Sequence, residues 1–168
     1  EGGAVPLADS LPLEAVRTRA HAADWREAIR LAGDGLVAGG ATTDQYTQEM
    51  IDTVERLGPY IVIAPGFALA HSRPSPAVLR TGLSWVSLAE PVEFGSEHND
   101  PVSVVVGLAA TDHDGHIGMM AELAGAIGDE ALFARLKDAE TPEQLLEELR
   151  AAGSAGQDAA TPPEGETP

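Results

Sequence analysis

Two segments in the first third of the chain carry apolar residues at the spacing of an amphipathic helix. The first follows Asp24, which has Glu27 three residues later in the pattern of a capping box, and it ends at two glycines, residues 39–40. The second follows Thr43 and ends at residues 58–59, a Gly-Pro pair that stops a helix. We predict a helix in each segment.

The middle of the chain changes to the patterns of strands. Residues 60–71 are two extended apolar segments separated by a Pro-Gly pair, and a further short strand is predicted within residues 13–20. Residues 82–88 alternate at period two, as in a strand with one packed face. Residues 102–110 are nearly all apolar, which is typical of a central strand buried on both faces.

Helical spacing returns after this last strand. Helices are predicted for residues 114–127 and 130–137, and a third begins with Thr141 as cap and Pro142 in the first turn and runs through Leu149. Two helices, several strands and three helices in this order predict a layered α/β fold in a single domain.

The two ends of the chain lack this apolar periodicity. We expect residues 1–11 to form a flexible N-terminus and residues 12–151 to form the domain. Residues 152–168 contain no large apolar side chain, so they cannot bury enough surface to offset the entropy of ordering them. We therefore expect a disordered tail there.

Composition excludes several classes of function. The 168 residues include no Cys, so disulfides, thiolate metal sites and a Cys nucleophile are excluded. A formal net charge of −17 repels the phosphates of nucleic acids and anionic membranes. Uncharged stretches are too short to span a bilayer, so we expect a cytoplasmic protein without direct membrane insertion. The absence of GxxxxGKS/T, GxGxxG, HExxH and GxSxG disfavours nucleotide-dependent kinases and serine hydrolases.

Histidine is the conspicuous candidate for chemistry. His71 lies where an extended apolar segment gives way to a Pro-limited turn, and Ser72 and Arg73 follow it directly. A neutral imidazole offers a nucleophilic nitrogen near neutral pH, and hydroxyl and guanidinium groups can hold phosphoryl oxygens. These residues indicate reversible phosphorylation of His71; the alternative is a loop histidine bound to the backbone. Arg56 closes the second predicted helix, where a cation suits the helix dipole, and phosphate contact is its alternative role.

A second polar group, residues 111–116, follows the predicted central strand. Open α/β sheets place their sites at such a point, where the carboxyl end of a strand enters a helix. His116 could assist His71 by donating a hydrogen bond to a transferred phosphoryl group, or the group could be an N-cap with exposed polar residues. A third alternative is a divalent metal site formed by Asp112, His113, Asp114 and His116 with His98 or Asp100.

Several separated motifs occur together in one order. They are Gly58-Pro59-Tyr60-Ile61-Val62-Ile63-Ala64-Pro65-Gly66, Ala70-His71-Ser72-Arg73-Pro74, Gly82, Pro91-Val92-Glu93-Phe94, Asn99-Asp100-Pro101-Val102, and Gly107-Leu108-Ala109-Ala110 followed by His116. This set resembles the IIA component of the bacterial phosphoenolpyruvate-dependent sugar phosphotransferase system, within its mannitol/fructose-type superfamily and closest to the ascorbate-type branch. The similarity covers about residues 13–151. Ala70 stands where many members have Pro, which we expect to loosen the turn before His71.

The resemblance implies a mixed β-sheet flanked by helices on both faces, and a phosphotransferase that needs no metal, nucleotide or other cofactor. It implies that His71 accepts a phosphoryl group from phospho-HPr and passes it to a cysteine of a IIB protein or domain. IIB then phosphorylates a sugar that enters through the membrane component IIC. His116 would be the second, non-phosphorylated histidine of the site. A homodimer is compatible with this branch, and the ascorbate type suggests the sugar.

Three rival functions differ in what they require. A regulatory IIA-like domain would carry the phosphoryl group as a signal to another protein without serving a transporter. A metal-dependent hydrolase would use His98, His113 and His116 and would retain zinc or manganese on purification. A binding module with an inactive site would keep the fold while His71 is never phosphorylated.

Overall fold

The computed structural model describes residues 7–111 and 117–160, which form five α-helices and a five-stranded sheet in one domain. The helices are α1 (Trp25–Ala38), α2 (Asp44–Leu57), α3 (Ile117–Gly128), α4 (Glu130–Asp138) and α5 (Pro142–Ala160). The strands are β1 (Val16–Ala20), β2 (Val62–Ala64), β3 (Phe67–Ala70), β4 (Gly82–Val92) and β5 (Val102–Ala109). Short 3₁₀ helices at Leu7–Ser10 and Leu13–Ala15 precede β1.

The sheet is mixed, and its strands lie in the order β1-β4-β5-β3-β2. Parallel pairing joins β1 to β4 and β3 to β5, whereas β4–β5 and β2–β3 are antiparallel. The last strand in sequence, β5, therefore lies at the centre, and every residue from Val104 to Ala109 is buried. This confirms the prediction of a central strand covered on both faces.

Helices cover both faces of the sheet, as the resemblance implied. One face packs on α1 and α2 through residues such as Ala28, Ile29, Met50, Val86 and Val105. The other packs on α3, α4 and α5 through residues such as Trp85, Val106, Leu123, Leu132 and Leu145. Among the described residues, no helix is both long enough and apolar enough to cross a membrane.

The strand β4 differs from its predicted pattern, since both of its faces are packed. Its serines at positions 84 and 87 are buried. The strand tolerates them there because each hydroxyl has a hydrogen-bond partner. The Ser84 hydroxyl donates to Ala32 O at 2.7 Å, and the Ser87 hydroxyl accepts from Trp85 Nε1 at 2.9 Å. The alternating pattern was therefore produced by satisfied polar groups and not by a solvent-exposed face.

The ends of the domain also differ from the predicted boundaries. Leu7, Ala8 and Leu11 fall in the segment expected to be flexible, yet they are buried against the second face of the sheet. The last helix continues past the predicted boundary at residue 151 and ends at Ala160. Alanine, the best helix former, recurs in this stretch, and a helix already held by core packing can extend through it.

Candidate functional site

His71 follows the last residue of β3, at an edge where the sheet opens. Ala70, directly before it, is fully buried and pairs with Gly107 on β5, so the sheet fixes the backbone that enters the site. The half-buried ring of His71 places Nδ1 2.8 Å from Leu69 O. A carbonyl oxygen can only accept, so Nδ1 carries the proton in the neutral ring and Nε2 keeps the lone pair. The geometry thus assigns Nε2 as the nucleophilic atom.

Tyr60 holds the same histidine from the side. Its hydroxyl donates to His71 O at 3.1 Å, and its ring meets the imidazole edge-on with centroids 5.3 Å apart. Burial raises the pKa of Tyr60, although the Arg56 guanidinium lowers it in part. The phenol therefore remains a neutral donor at physiological pH.

A cavity of about 700 Å³ lies over His71, between α2 and the ends of β3 and β5. Two cations, Arg56 and Arg73, and two carboxylates, Glu49 and Asp52, line it. Its remaining walls combine the hydroxyls of Thr53, Tyr60, Ser72 and Ser75 with apolar side chains that include Leu57, Ile63, Leu108 and Met120. The polar side chains of this lining can donate hydrogen bonds to an anionic group next to His71 Nε2. Its apolar side chains offer surface on which a partner protein can pack.

The hydroxyl groups in the cavity are linked to one another. Thr53 Oγ1 donates to Glu49 O at 2.8 Å and lies 3.0 Å from Ser72 Oγ. Because the single Thr53 proton goes to the helix carbonyl, the Ser72 hydroxyl acts as donor towards Thr53. Ser75 Oγ donates to the Glu49 carboxylate at 2.7 Å. The Ser72 hydroxyl is therefore positioned by α2 and can rotate to donate to an incoming oxygen.

Tyr46 connects this network of hydroxyl groups to the backbone of the sheet. Its hydroxyl accepts from Ser72 N at 2.9 Å and lies 2.9 Å from Leu108 O and 3.1 Å from Ser72 O, either of which can accept its proton. The side chain is 1% exposed, and burial raises its pKa to about 12. It is a neutral group that joins the exits of β3 and β5.

The structure brings together four of the predicted site residues: His71, Ser72, Arg73 and Arg56 all line the cavity. His116 and the other polar residues at 112–116 lie outside the described residues. Arg56 occupies the last turn of α2, so its helix-end position and its position on the cavity are both observed.

Of the proposed metal ligands, only His98 and Asp100 lie in the described parts of the chain. The side chain of His98 is 88% exposed beside Glu97. Asp100 has a structural role, since its Oδ2 accepts three backbone N–H groups, those of residues 94–96, at 2.7–3.1 Å. Within residues 7–111 and 117–160, no three His, Asp or Glu side chains are grouped so that they could hold a metal ion.

Three residues of the site on α2, Tyr46, Glu49 and Thr53, were not singled out from the sequence. Tyr46, Glu49, Thr53 and Arg56 follow one another at helical spacing of three or four residues. In this row Glu49, Thr53 and Arg56 line the cavity, whereas Tyr46 is buried behind it and bonded to Ser72. That row was the available signal for the site.

Comparisons with known proteins agree with this geometry. The family model described as "Phosphoenolpyruvate-dependent sugar phosphotransferase system, EIIA 2" matches residues 10–152. The ascorbate-specific PTS system EIIA component of Salmonella choleraesuis (strain SC-B67) is 41% identical over 144 residues, which are 84% of this chain and 93% of that protein.

Solved structures show the same fold. The crystal structure of a putative PTS IIA domain from Streptococcus pyogenes M1 GAS superposes with a TM-score of 0.78 at 30% identity, covering 89% of this chain and 97% of that one. Mannitol enzyme IIA from Escherichia coli, solved in complex with phosphorylated enzyme IIB, has a TM-score of 0.73 at 33% identity, covering 84% of this chain and 97% of that one. The resemblance inferred from the motifs around His71 is confirmed: the chain belongs to the EIIA 2 family of the phosphoenolpyruvate-dependent sugar phosphotransferase system, whose members are phosphotransferase phosphocarriers.

Proposed function

We propose that His71 is the residue that carries the phosphoryl group, which it accepts at Nε2 from phospho-HPr and donates to a cysteine of a IIB protein. The observation that carries this proposal is the 2.8 Å contact between His71 Nδ1 and Leu69 O. It fixes the neutral tautomer whose free lone pair is on Nε2, beside a cavity lined by Arg56 and Arg73.

The transfer requires positioning more than strong base catalysis. The Nε2 lone pair attacks phosphorus in line, so the new N–P bond forms while the P–N bond to the donor histidine breaks and its electron pair returns to the donor imidazole. Charge in the loose transition state spreads over three oxygens, and we assign Ser72, Arg73 and Arg56 as their donors. By the family resemblance His116 would add another. A IIB thiolate then attacks the same phosphorus and restores neutral His71.

The Leu69 carbonyl has a second role in this proposal. A phosphoryl group on Nε2 of a ring that keeps its Nδ1 proton gives the imidazole positive character. The carbonyl oxygen that accepts from Nδ1–H stabilises that charge while the bond to phosphorus forms. The same contact thus selects the tautomer and supports the phosphorylated state.

Relatives suggest the partners and the sugar. The solved complex of mannitol IIA with phosphorylated IIB supports a IIB acceptor, and the ascorbate-specific relative supports ascorbate or a related sugar. From membership of the system we infer phospho-HPr as the donor, IIC as the downstream membrane component and a cytoplasmic location. The net charge of −17 would speed the encounter with a basic partner surface and make the rate fall with added salt.

Intact-protein mass spectrometry tests this function. The wild-type chain, incubated with phosphoenolpyruvate, enzyme I and HPr, should gain one phosphoryl group that is lost in acid and stable in base. His71→Ala should gain none, whereas His98→Ala, which removes an exposed histidine beside Glu97, should behave as wild type. An unmodified wild-type protein in the presence of active donors would exclude the carrier function. Transfer onward to a IIB cysteine separates a transport component from a regulatory domain.

A further inference from the structure

The hydrogen-bond ladder between the parallel strands β3 and β5 stops just before His71. The pairing of β3 with β5 runs from Phe67–Val104 to Ala70–Gly107. Leu69 N donates to Ile61 O on the β2 side, so the N–H groups of alternate residues point towards β5. Ser72 is the next such residue after Ala70. Continued in register, the ladder would bond Ser72 N directly to Leu108 O.

The hydroxyl of Tyr46 occupies that position. It accepts from Ser72 N at 2.9 Å and lies 2.9 Å from Leu108 O, so one phenol oxygen replaces the next ladder bond. The two strands separate from this point, and His71, Ser72 and Leu108 line the cavity there. Tyr46 thus acts as a spacer between the strand ends that keeps both backbone groups satisfied.

We propose that Tyr46 is a positioning residue for phosphoryl transfer, which holds His71 at the cavity by bonding the residue after it to the end of β5. The inference rests on the proposed role of His71. Both neighbours of His71 are then fixed, Ala70 by the ladder and Ser72 by the phenol. Since Tyr46 is 1% exposed, it acts through backbone geometry and not by touching a partner.

Removing the hydroxyl should affect chemistry more than binding. Tyr46→Phe keeps the ring but leaves Ser72 N and Leu108 O without their shared partner. The ends of β3 and β5 then change their separation, and the backbone of His71 moves with them. A misplaced nucleophile loses rate steeply with distance, so we expect kcat to fall roughly ten- to a hundredfold. The KM for phospho-HPr should stay within about twofold, because no docking contact is removed.

The test is rapid-quench phosphorylation by phospho-HPr, with Ser87→Ala as the matched control. Ser87 also loses a buried hydrogen bond on substitution, the one from Trp85 Nε1, but it pairs with Val104 at the far end of β5. The proposal expects a kcat defect in Tyr46→Phe alone, together with a shift of the His71 ring nitrogens in the ¹⁵N spectrum. An unchanged kcat, or an equal fall in Ser87→Ala, would overturn it.

Failure of the carrier function and misfolding of the variant give distinct results. If the wild-type protein is not phosphorylated while the donors are active, the carrier function itself fails. If Tyr46→Phe does not fold, 3-fluorotyrosine placed at position 46 gives the same comparison in a folded chain. Fluorine withdraws electrons from the oxygen and weakens its acceptance from Ser72 N, so kcat should fall with KM unchanged. A wild-type kcat for that protein would refute the positioning role.

Discussion

Gly107 should be intolerant of even one methyl group, because atoms of Ser84, Leu36 and Ala32 lie close to where its Cβ would be. It is opposite Ala70 on one side and Ser84 on the other. A Cβ added there would lie 2.5 Å from Ser84 Oγ, 3.2 Å from Leu36 Cδ1 and 3.3 Å from Ala32 O. The first distance is shorter than any van der Waals contact, so either Ser84 or the α1 backbone must move.

The expected change in the free energy of unfolding is the difference between two opposing effects. Overpacking a close-packed core costs about 1–3 kcal/mol, while replacing Gly by Ala recovers roughly 0.4–1 kcal/mol from the unfolded chain. We therefore expect Gly107→Ala to lower the free energy of unfolding by about 1–2 kcal/mol. Ser84→Ala removes the nearest atom but loses the 2.7 Å bond to Ala32 O. That bond contributes about 0.5–1.5 kcal/mol.

The double variant separates a local clash from a general loss of stability. Gly107→Ala with Ser84→Ala should be more stable than the sum of the single effects by about 1–2 kcal/mol, since the closest contact is gone. Urea unfolding followed by tryptophan fluorescence measures all three variants. Gly125→Ala is the control: Gly125 is exposed on α3, and no described neighbour would lie within 4 Å of its Cβ. It should gain about 0.5–1 kcal/mol. Additivity within roughly 0.5 kcal/mol for the pair 84/107 would refute the reasoning.

Two other predictions concern the groups around His71. Burial raises the pKa of Tyr46 from 10.0 to about 12, so its folded-state pKa exceeds the unfolded value. Its contribution to stability should be complete below pH 10 and be lost as the pH rises through about 12, which absorbance titration and unfolding at each pH would follow. Ionisation of that phenol at pH 10 in a folded protein would contradict its burial. Arg56→Gln should slow phosphoryl transfer by roughly tenfold or more, because a donor to the transferred group is removed. Arg135→Gln, which loses only a pair with Glu148 away from the cavity, should keep the wild-type rate in the same assay.

Elements defined by local chemistry were predicted well from the sequence. The capping pair at Asp24 forms with one difference from a capping box: Asp24 Oδ1 accepts from Glu27 N at 2.9 Å, but Glu27 Oε1 accepts from Ala23 N, one residue before the cap, at 2.8 Å. Thr43 makes no side-chain capping bond, although α2 begins directly after it; its backbone N–H donates to Ala77 O at 2.9 Å. The patterns could not predict which strands pair, because a period of two identifies an extended segment without naming its neighbour.

The residues of the site also separate into those that the sequence identified and those that it did not. His71, Ser72 and Arg73 were recognised because they are consecutive residues at the end of an apolar strand. Tyr46 and Thr53 were not, since their roles depend on how α2 packs across the exit of β3. An aromatic side chain on an amphipathic helix has the same pattern whether its hydroxyl is idle or bonded to Ser72 and Leu108, and only tertiary structure distinguishes the two.

The central place of β5 has a consequence for how the chain acquires its activity. Residues 102–109 are made after every other strand, yet they alone join the β1–β4 half of the sheet to the β2–β3 half. A nascent chain that ends before residue 102 lacks β5, so nothing joins β4 to β3. The acceptor that Leu108 offers to Tyr46 is also missing. His71 therefore emerges from the ribosome long before it can become a working nucleophile, and the site should mature in one late, cooperative step when β5 inserts.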